Sequence, residues 1–181
     1  ISSSPDNNEI IFIYRNKKPN SYSELYFYDV SNNHLECIFS GKVVSHYCWI
    51  NSDELIVYLG KDIRNQNYYK LNIKNKKLSL VSKNININGD GHPSISPDKN
   101  WLLFDSYPNK SRLIHLNIYN FKMNKIIEIG KFLSPLRYHG YYRCDLHPRW
   151  SPDGNFISID STHSGIRKTY IIDVSEVVRK K

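Results

Sequence analysis

The sequence predicts an all-β fold. Its apolar residues fall in short runs rich in β-branched and aromatic side chains, and Asn, Asp, Gly, Pro or Ser closes each run. The runs include "EIIFIY", "ELYFYDV", "ELIVYL" and "WLLFDSY". Such runs are typical of strands that end in turns. Only the tail, "DVSEVVRKK", has a pattern compatible with a helix.

Composition restricts the function classes. The 181 residues are 40% hydrophobic, 13% aromatic and 23% charged, which is typical of a globular chain. The formal net charge is +8, but the lysines are dispersed through turns, so we expect no nucleic-acid partner. The charge suits an anionic small substrate or plain solubility. No apolar run approaches the length of a membrane span, so we expect no membrane partner.

The cysteines and the first residue predict the redox state of the thiols, the location of the protein and the extent of the sequence. Cys37, Cys48 and Cys144 are an odd number without metal-binding spacing, which predicts reduced thiols and a cytoplasmic location. The sequence begins at Ile1 in mid-pattern, and its one methionine is Met123. We therefore expect a fragment of a longer protein.

One turn motif occurs four times. It reads Ser4-Pro5-Asp6 and recurs as Asn51-Ser52-Asp53, Ser96-Pro97-Asp98 and Ser151-Pro152-Asp153. A strand, a loop and another strand follow each copy. The first three copies then add an outer strand, and the last three have a short strand ahead of the turn. Four antiparallel strands per unit at this spacing predict the blades of a β-propeller.

We expect a single propeller portion over residues 1–181, the C-terminal arc of a larger ring. Its approximate blades are 1–42, 43–83, 89–130 and 141–178. The first blade should lack its innermost strand and the last its outermost. An open arc exposes sheet faces that blades normally bury against each other. Missing N-terminal blades should cover them, or the fragment should associate with itself.

Three histidines recur in register with the turns. His92 and His147 each stand six residues before a turn aspartate, and His46 stands seven residues before Asp53. The innermost strand of a propeller blade lines the central channel, so these positions should converge. Imidazoles together with the carboxylate of Asp145 would suit a divalent cation, such as Mn²⁺ or Zn²⁺.

Strand alternation should place Asp145, His147 and Arg149 on one face, and Leu146, Pro148 and Trp150 on the other. Arg143 and Arg149 would then add positive charge beside the metal.

A structural interpretation competes with this one. A histidine that follows glycine, as in Gly91-His92, can hold a blade by hydrogen bonds. Asp105 and Asp160 each stand seven residues after a turn aspartate, where they would either stabilise a turn or orient a histidine.

Loops supply candidate substrate-binding residues. Tyr142 ends the longest connection between blades, which also carries other aromatic residues, and His163 and Arg167 lie in the loop "STHSGIRK". Long loops on rigid scaffolds often carry binding residues. The alternative is that these loops cover a blade edge or are merely solvated.

Two resemblances sharpen the prediction. The segment "SPDGNFISIDSTHSGIRKTYIIDVS" resembles the WD40-like repeat of TolB-type propellers. The strings "GHPSISPD" and "DLHPRWSPDGNFISIDS" resemble segments of oligogalacturonate lyases, in which propeller histidines bind Mn²⁺ and another acts as base. The resemblance implies that His92 and His147 are metal ligands and His46 the base. Asp145 stands where that family has a further histidine ligand, and Tyr142 about where it has a ligating glutamine.

Two functions follow as hypotheses. In the first, a carbohydrate-active propeller carries out metal-assisted β-elimination on an acidic oligosaccharide, with Mn²⁺ favoured over Zn²⁺. His46 removes the proton α to the carboxylate, and Arg143 or Arg149 clamps that carboxylate. In the second, a non-catalytic TolB-like or WD40-like propeller binds a protein or a glycan.

Overall fold

The computed structural model of the chain describes residues 1–16, 21–83, 85 and 89–179. These residues form four antiparallel sheets, each built from strands that are consecutive in the chain. The chain divides into two compact units, Ile1–Asn86 and Ile87–Lys181, with two sheets in each. None of the helices in the described part is long and apolar enough to cross a membrane.

The first unit contains two four-stranded sheets. Their strands are β1 (Ser2–Ser3), β2 (Glu9–Asn16), β3 (Tyr22–Asp29) and β4 (His34–Gly41), then β5 (Val43–Asn51), β6 (Glu54–Gly60), β7 (Gln66–Asn72) and β8 (Leu78–Leu80). A buried cluster that includes Ile11, Leu25, Val57 and Leu71 joins the two sheets. Alternate residues of β2, β3, β6 and β7 enter this core, which is the period of two that the sequence shows.

The second unit contains one four-stranded and one three-stranded sheet. Their strands are β9 (Ser94–Ile95), β10 (Trp101–Asp105), β11 (Leu113–Asn120) and β12 (Lys125–Leu133), then β13 (Arg149–Trp150), β14 (Phe156–Ser161) and β15 (Lys168–Asp173). A short helix, α1 (Ser175–Val178), follows; the last two residues of the tail lie outside the described residues. The core contains Leu103, Leu116, Leu146 and Ile159, all fully buried.

The repeated turn has a local physical cause. In the third copy, the Ser96 hydroxyl donates to Asp98 Oδ1 at 2.6 Å and accepts the Trp101 N–H at 3.0 Å. The first and fourth copies have the same two bonds, centred on Ser4 and Ser151. Side-chain bonds of this kind replace backbone bonds in a tight turn. The serine and aspartate therefore recur because together they close the turn.

Two sequence expectations about the inner strands are wrong. The first sheet does have an innermost strand, since Ser2 and Ser3 of β1 pair with Ile11 and Ile10. In the second unit the inner strands are only two residues long, and the residues from Asp145 to Pro148 precede β13 as irregular chain. Proline has no N–H to donate, so each His-Pro pair delays the start of its strand. Among the described residues, the last sheet has three strands and no outermost one, as expected.

Candidate metal centre

Two loops of the second unit meet ahead of β9 and β13. They carry His92 on one side and Asp145 and His147 on the other, and one potential ligand atom from each of the three residues lies within 4.8 Å of the others. The ring centroids of His92 and His147 are 4.1 Å apart. The structure thus brings together two of the three histidines that the repeat register singled out, and the carboxylate of Asp145 beside them.

Asp105, the last residue of β10, connects the two loops. Its side chain is fully buried. Oδ1 accepts the backbone N–H of His92 at 2.6 Å and lies 3.0 Å from His92 Nδ1, and Oδ2 accepts the backbone N–H of His147 at 3.2 Å. Of the two roles considered for this aspartate, the geometry corresponds to the one that orients a histidine.

Gly91 allows the first loop to approach this carboxylate. A Cβ atom at position 91 would lie 1.8 Å from the carbonyl oxygen of Asp105, far inside the closest real contacts. Only glycine, which has no Cβ, allows the backbone at position 91 to come so close to the backbone of Asp105. The glycine of "GHPS" therefore belongs to the site.

His147 has an unusual backbone conformation. Its φ angle is +42°, in the left-handed region that non-glycine residues seldom adopt. Strain of this type persists only where surrounding contacts impose it, and it is common at functional sites. The bond from the His147 N–H to Asp105 is one such contact.

Asp145 supplies a carboxylate that its surroundings only half satisfy. The residue is 7% exposed. Arg143 Nε donates to its Oδ2 at 2.9 Å, whereas its Oδ1 is buried and has no hydrogen-bond partner among the described residues. A buried carboxylate oxygen without a protein partner is costly unless a bound cation or a water pairs with it.

The strand alternation expected around Asp145 is also corrected here. Asp145 is buried together with Leu146, while His147 and Arg149 are exposed. The irregular chain before β13 has no period of two, so the three polar residues do not share one strand face.

The three side chains fit a divalent cation. Two imidazoles and one carboxylate are a ligand set that Mn²⁺, Fe²⁺ and Zn²⁺ accept, and they leave coordination positions for water or substrate. Asp105 adds the further requirement of such sites, a carboxylate that fixes the orientation of a ligating imidazole.

The two histidines have shifted pKa values in opposite directions. Burial lowers the pKa of His92, but the hydrogen bond and the charge of Asp105 outweigh it, so this pKa lies above its ordinary value. Partial desolvation lowers the pKa of His147, although its side chain reaches solvent, and the neighbouring His92 lowers it further.

The arginines expected beside the metal both have carboxylate partners. Arg143 pairs with Asp145, and its guanidinium lies 4.8 Å from the ring centroid of Tyr107. Arg149 pairs with Asp160, which also accepts from Thr169 Oγ1 at 2.9 Å. Asp160 therefore orients an arginine, although it has the same position in its repeat as Asp105.

The candidate substrate residues divide into two groups. Arg167 Nη2 donates to the backbone oxygens of Arg143 at 2.9 Å and Tyr142 at 3.3 Å. The side chain of Tyr142 is largely exposed. His163 instead packs against Phe132 and Tyr170, with ring centroids 5.4 Å and 4.3 Å away.

A small cavity of about 100 Å³ adjoins the candidate centre. Its lining residues are Arg143, Cys144, Asp145, His147, Asp160 and Arg167. In the part of the chain that the structure describes, no ion pair involves Arg167, so this arginine can offer its charge to an anion in the cavity.

His46 lies on β5 in the first unit, where its Nδ1 is 3.0 Å from Ser45 Oγ. Its role as a base stays a prediction. Sequence reasoning overlooked Tyr107, whose ring centroid lies 6.2 Å from that of His92 and 4.8 Å from the Arg143 guanidinium. Its only sequence signal is its place two residues after Asp105.

Solved structures similar to this chain are propellers. TolB from Acinetobacter baumannii matches 92% of this chain with a TM-score of 0.73 and 15% identity, over 39% of its own length. A putative TolB from Agrobacterium tumefaciens matches 96% with a TM-score of 0.67 and 17% identity, over 57% of its length. An oligogalacturonate lyase in complex with manganese matches 96% with a TM-score of 0.65 and 10% identity, over 50% of its length.

The chain has the β-propeller fold. This confirms the all-β propeller prediction and the expected likeness to TolB-type and oligogalacturonate lyase structures. The chain spans 39% to 57% of the length of these three propellers. No family model matches the sequence, and no curated protein matches it.

Proposed function

We propose that this propeller chain binds a divalent cation, Mn²⁺ in preference to Zn²⁺, at His92, Asp145 and His147, and acts on an acidic oligosaccharide by β-elimination. The observation that carries the proposal is the buried Oδ1 of Asp145. It has no hydrogen-bond partner among the described residues, and imidazole nitrogens of both histidines lie within 4.8 Å of the Asp145 carboxylate. A cation would complete this arrangement.

The manganese complex of a similar propeller supports the choice of metal. A cation held here would supply the positive charge that makes the proton α to a uronate carboxylate more acidic. The chain itself would contribute binding and orientation. Arg167 lines the adjoining cavity and can bind a substrate carboxylate, while Tyr107 and Asp145 hold Arg143 beside it.

Elimination also needs a base. An imidazole with a pKa near neutrality suits this role, and His46 is the candidate that the family resemblance implies. In this reaction the base takes the α proton, a double bond forms between the α and β carbons, and the bond from the β carbon to the glycosidic oxygen breaks. The departing oxygen takes up a proton and leaves as the hydroxyl of the shortened sugar chain.

Elemental analysis of the purified protein tests the metal site. We expect one Mn²⁺ or Zn²⁺ per chain, lost in a His92→Ala/His147→Ala double variant. His115→Ala is the matched control, because His115 pairs with Glu128 on a neighbouring strand. Absence of metal from the wild type after purification and after dialysis against Mn²⁺ would refute the site.

A screen of uronate oligosaccharides for unsaturated products then tests the reaction. We expect His46→Ala to abolish product formation and to leave metal content unchanged. Full activity in that variant would remove His46 from the mechanism.

The internal ion pairs of Arg143 and Arg149 favour a second candidate function. Two arginines already paired with carboxylates are poorly placed to clamp a substrate. In that case the chain is a non-catalytic propeller that binds a protein or a glycan, and metal without any unsaturated product is the expected outcome.

A further inference from the structure

We infer that Asp105 is the positioning residue of the candidate metal centre, and that its one carboxylate sets the tautomer of His92 and holds the His147 loop beside it. The inference rests on the proposed metal site for its purpose. Its first test needs no metal.

The buried carboxylate of Asp105 contacts both loops of the site. The residue is 0% exposed. His92 Nδ1 lies 3.0 Å from Oδ1 and 3.1 Å from Oδ2, and the backbone N–H groups of His92 and His147 donate to Oδ1 and Oδ2. One buried carboxylate thus accepts bonds from both loops of the site.

These contacts determine where the proton of His92 resides. A carboxylate only accepts hydrogen bonds, so the ring nitrogen that faces it must donate. Nδ1 therefore carries the proton, and Nε2 carries the lone pair with which a neutral imidazole binds a metal. The backbone N–H groups of His92 and His147 both donate to the Asp105 carboxylate, and this holds the two ligand-bearing loops at a fixed separation.

The next repeat supplies a natural comparison. Asp160 has the same position relative to its turn but binds Arg149 and Thr169, and it is partly exposed. A carboxylate at this repeat position therefore takes whichever donor its loops present. Of these two aspartates, Asp105 is the one whose donors are an imidazole and two loop N–H groups.

An Asp105→Asn substitution separates positioning from general stability. Asparagine keeps the size but replaces one acceptor with an NH₂ donor, so it cannot accept from all the groups that Asp105 binds. We expect His92 to move to the tautomer with the proton on Nε2, where it would compete with a metal. A carboxylate needed only for stability would leave the tautomer of His92 unchanged.

The test uses long-range ¹H–¹⁵N correlation spectra of the metal-free full chain, recorded at rising pH until the His92 ring is neutral, because Asp105 raises the pKa of His92 above its ordinary value. We expect the Nδ1–H tautomer of His92 in the wild type and in Asp160→Asn, and the Nε2–H tautomer in Asp105→Asn. Nε2–H in the wild type would overturn the inference even if Asp105→Asn does not fold. An unchanged tautomer in folded Asp105→Asn would do the same.

Mn²⁺ titration followed by electron paramagnetic resonance is the second readout. We expect Asp105→Asn to bind about 10- to 100-fold more weakly than the wild type, the usual effect of losing such a partner, and Asp160→Asn to bind as the wild type does. Wild-type affinity in Asp105→Asn would contradict the inference. If the wild type binds no Mn²⁺, the proposed function fails, and the tautomer of His92 still decides the role of Asp105.

Discussion

Gly91 and the carbonyl group of Asp105 are in such close contact that no side chain fits between them. A methyl group at position 91 would lie 1.8 Å from the carbonyl oxygen, and the two nearest atoms belong to the backbone, which cannot rotate away. Gly91→Ala must therefore displace the His92 loop.

We expect Gly91→Ala to lower the free energy of unfolding by about 1–3 kcal/mol, as overpacking of a close contact does, and to weaken Mn²⁺ binding. Thermal unfolding and the Mn²⁺ titration measure the two effects. Gly130→Ala is the control, because its Cβ would meet only the Phe132 ring at 3.3 Å. Equal stability of the two variants would show that the Gly91 contact is unimportant.

Single residues of the site differ in how far the sequence predicted them. His92 and His147 could be singled out because they keep register with a repeated turn. For Asp105 the sequence offered two roles and could not choose between them, since its contacts join residues 13 and 42 positions apart through irregular loops. No period in the sequence reports a contact of that kind.

The Ser-Pro-Asp turn is the element that recurs through the chain. The pKa values of its aspartates show whether the turn is formed. The hydrogen bond from Ser151 is the largest effect on the pKa of Asp153 and lowers it to about 2, and that from Ser4 does the same to Asp6. A depressed pKa favours the folded state above the unfolded value of about 4. This contribution is lost as pH falls through about 2.

We expect an NMR titration to give a pKa of about 2 for Asp153 in the wild type and a value nearer 4 in Ser151→Ala. Asp6 lies in another copy of the turn and serves as the internal control, with its pKa still about 2 in that variant. The same substitution should also lower stability, because the Ser151 hydroxyl accepts the Phe156 N–H as well. An unshifted Asp153 would show that the serine is not its main partner.

The strands themselves were predictable, because apolar runs bounded by turn residues specify both position and length. The inner strands were not, since their length depends on which N–H groups the neighbouring strand can reach. Pro93 and Pro148 remove such groups, and only Ser94–Ile95 and Arg149–Trp150 pair as strands.

For the whole molecule, the outer edge of the last sheet is the feature with the clearest consequence. β15 pairs with β14, and no other described strand pairs with it. Ile171 on this strand is 66% exposed. Strand edges of this kind pair with other chains unless charge or cover prevents it.

We therefore expect the chain to self-associate, with sedimentation equilibrium showing species above the monomer of 21.3 kDa. Ile171→Lys should shift the population toward the monomer, because a charge on an edge strand opposes pairing. Ile63→Lys is the matched control, since Ile63 is exposed to 73% but lies outside the strands. A monomer at all concentrations would contradict this expectation.

The sequence alone determined the all-β class, the four-fold repeat and the histidine register, because each follows from spacing along the chain. The tertiary structure decided which side chain each carboxylate binds. Asp105 and Asp160 have the same repeat position, yet one binds His92 and the other Arg149. The same is true of Asp145, whose unpartnered Oδ1 depends on burial. Periodicity records backbone geometry, whereas contacts between side chains depend on loops that no repeat specifies.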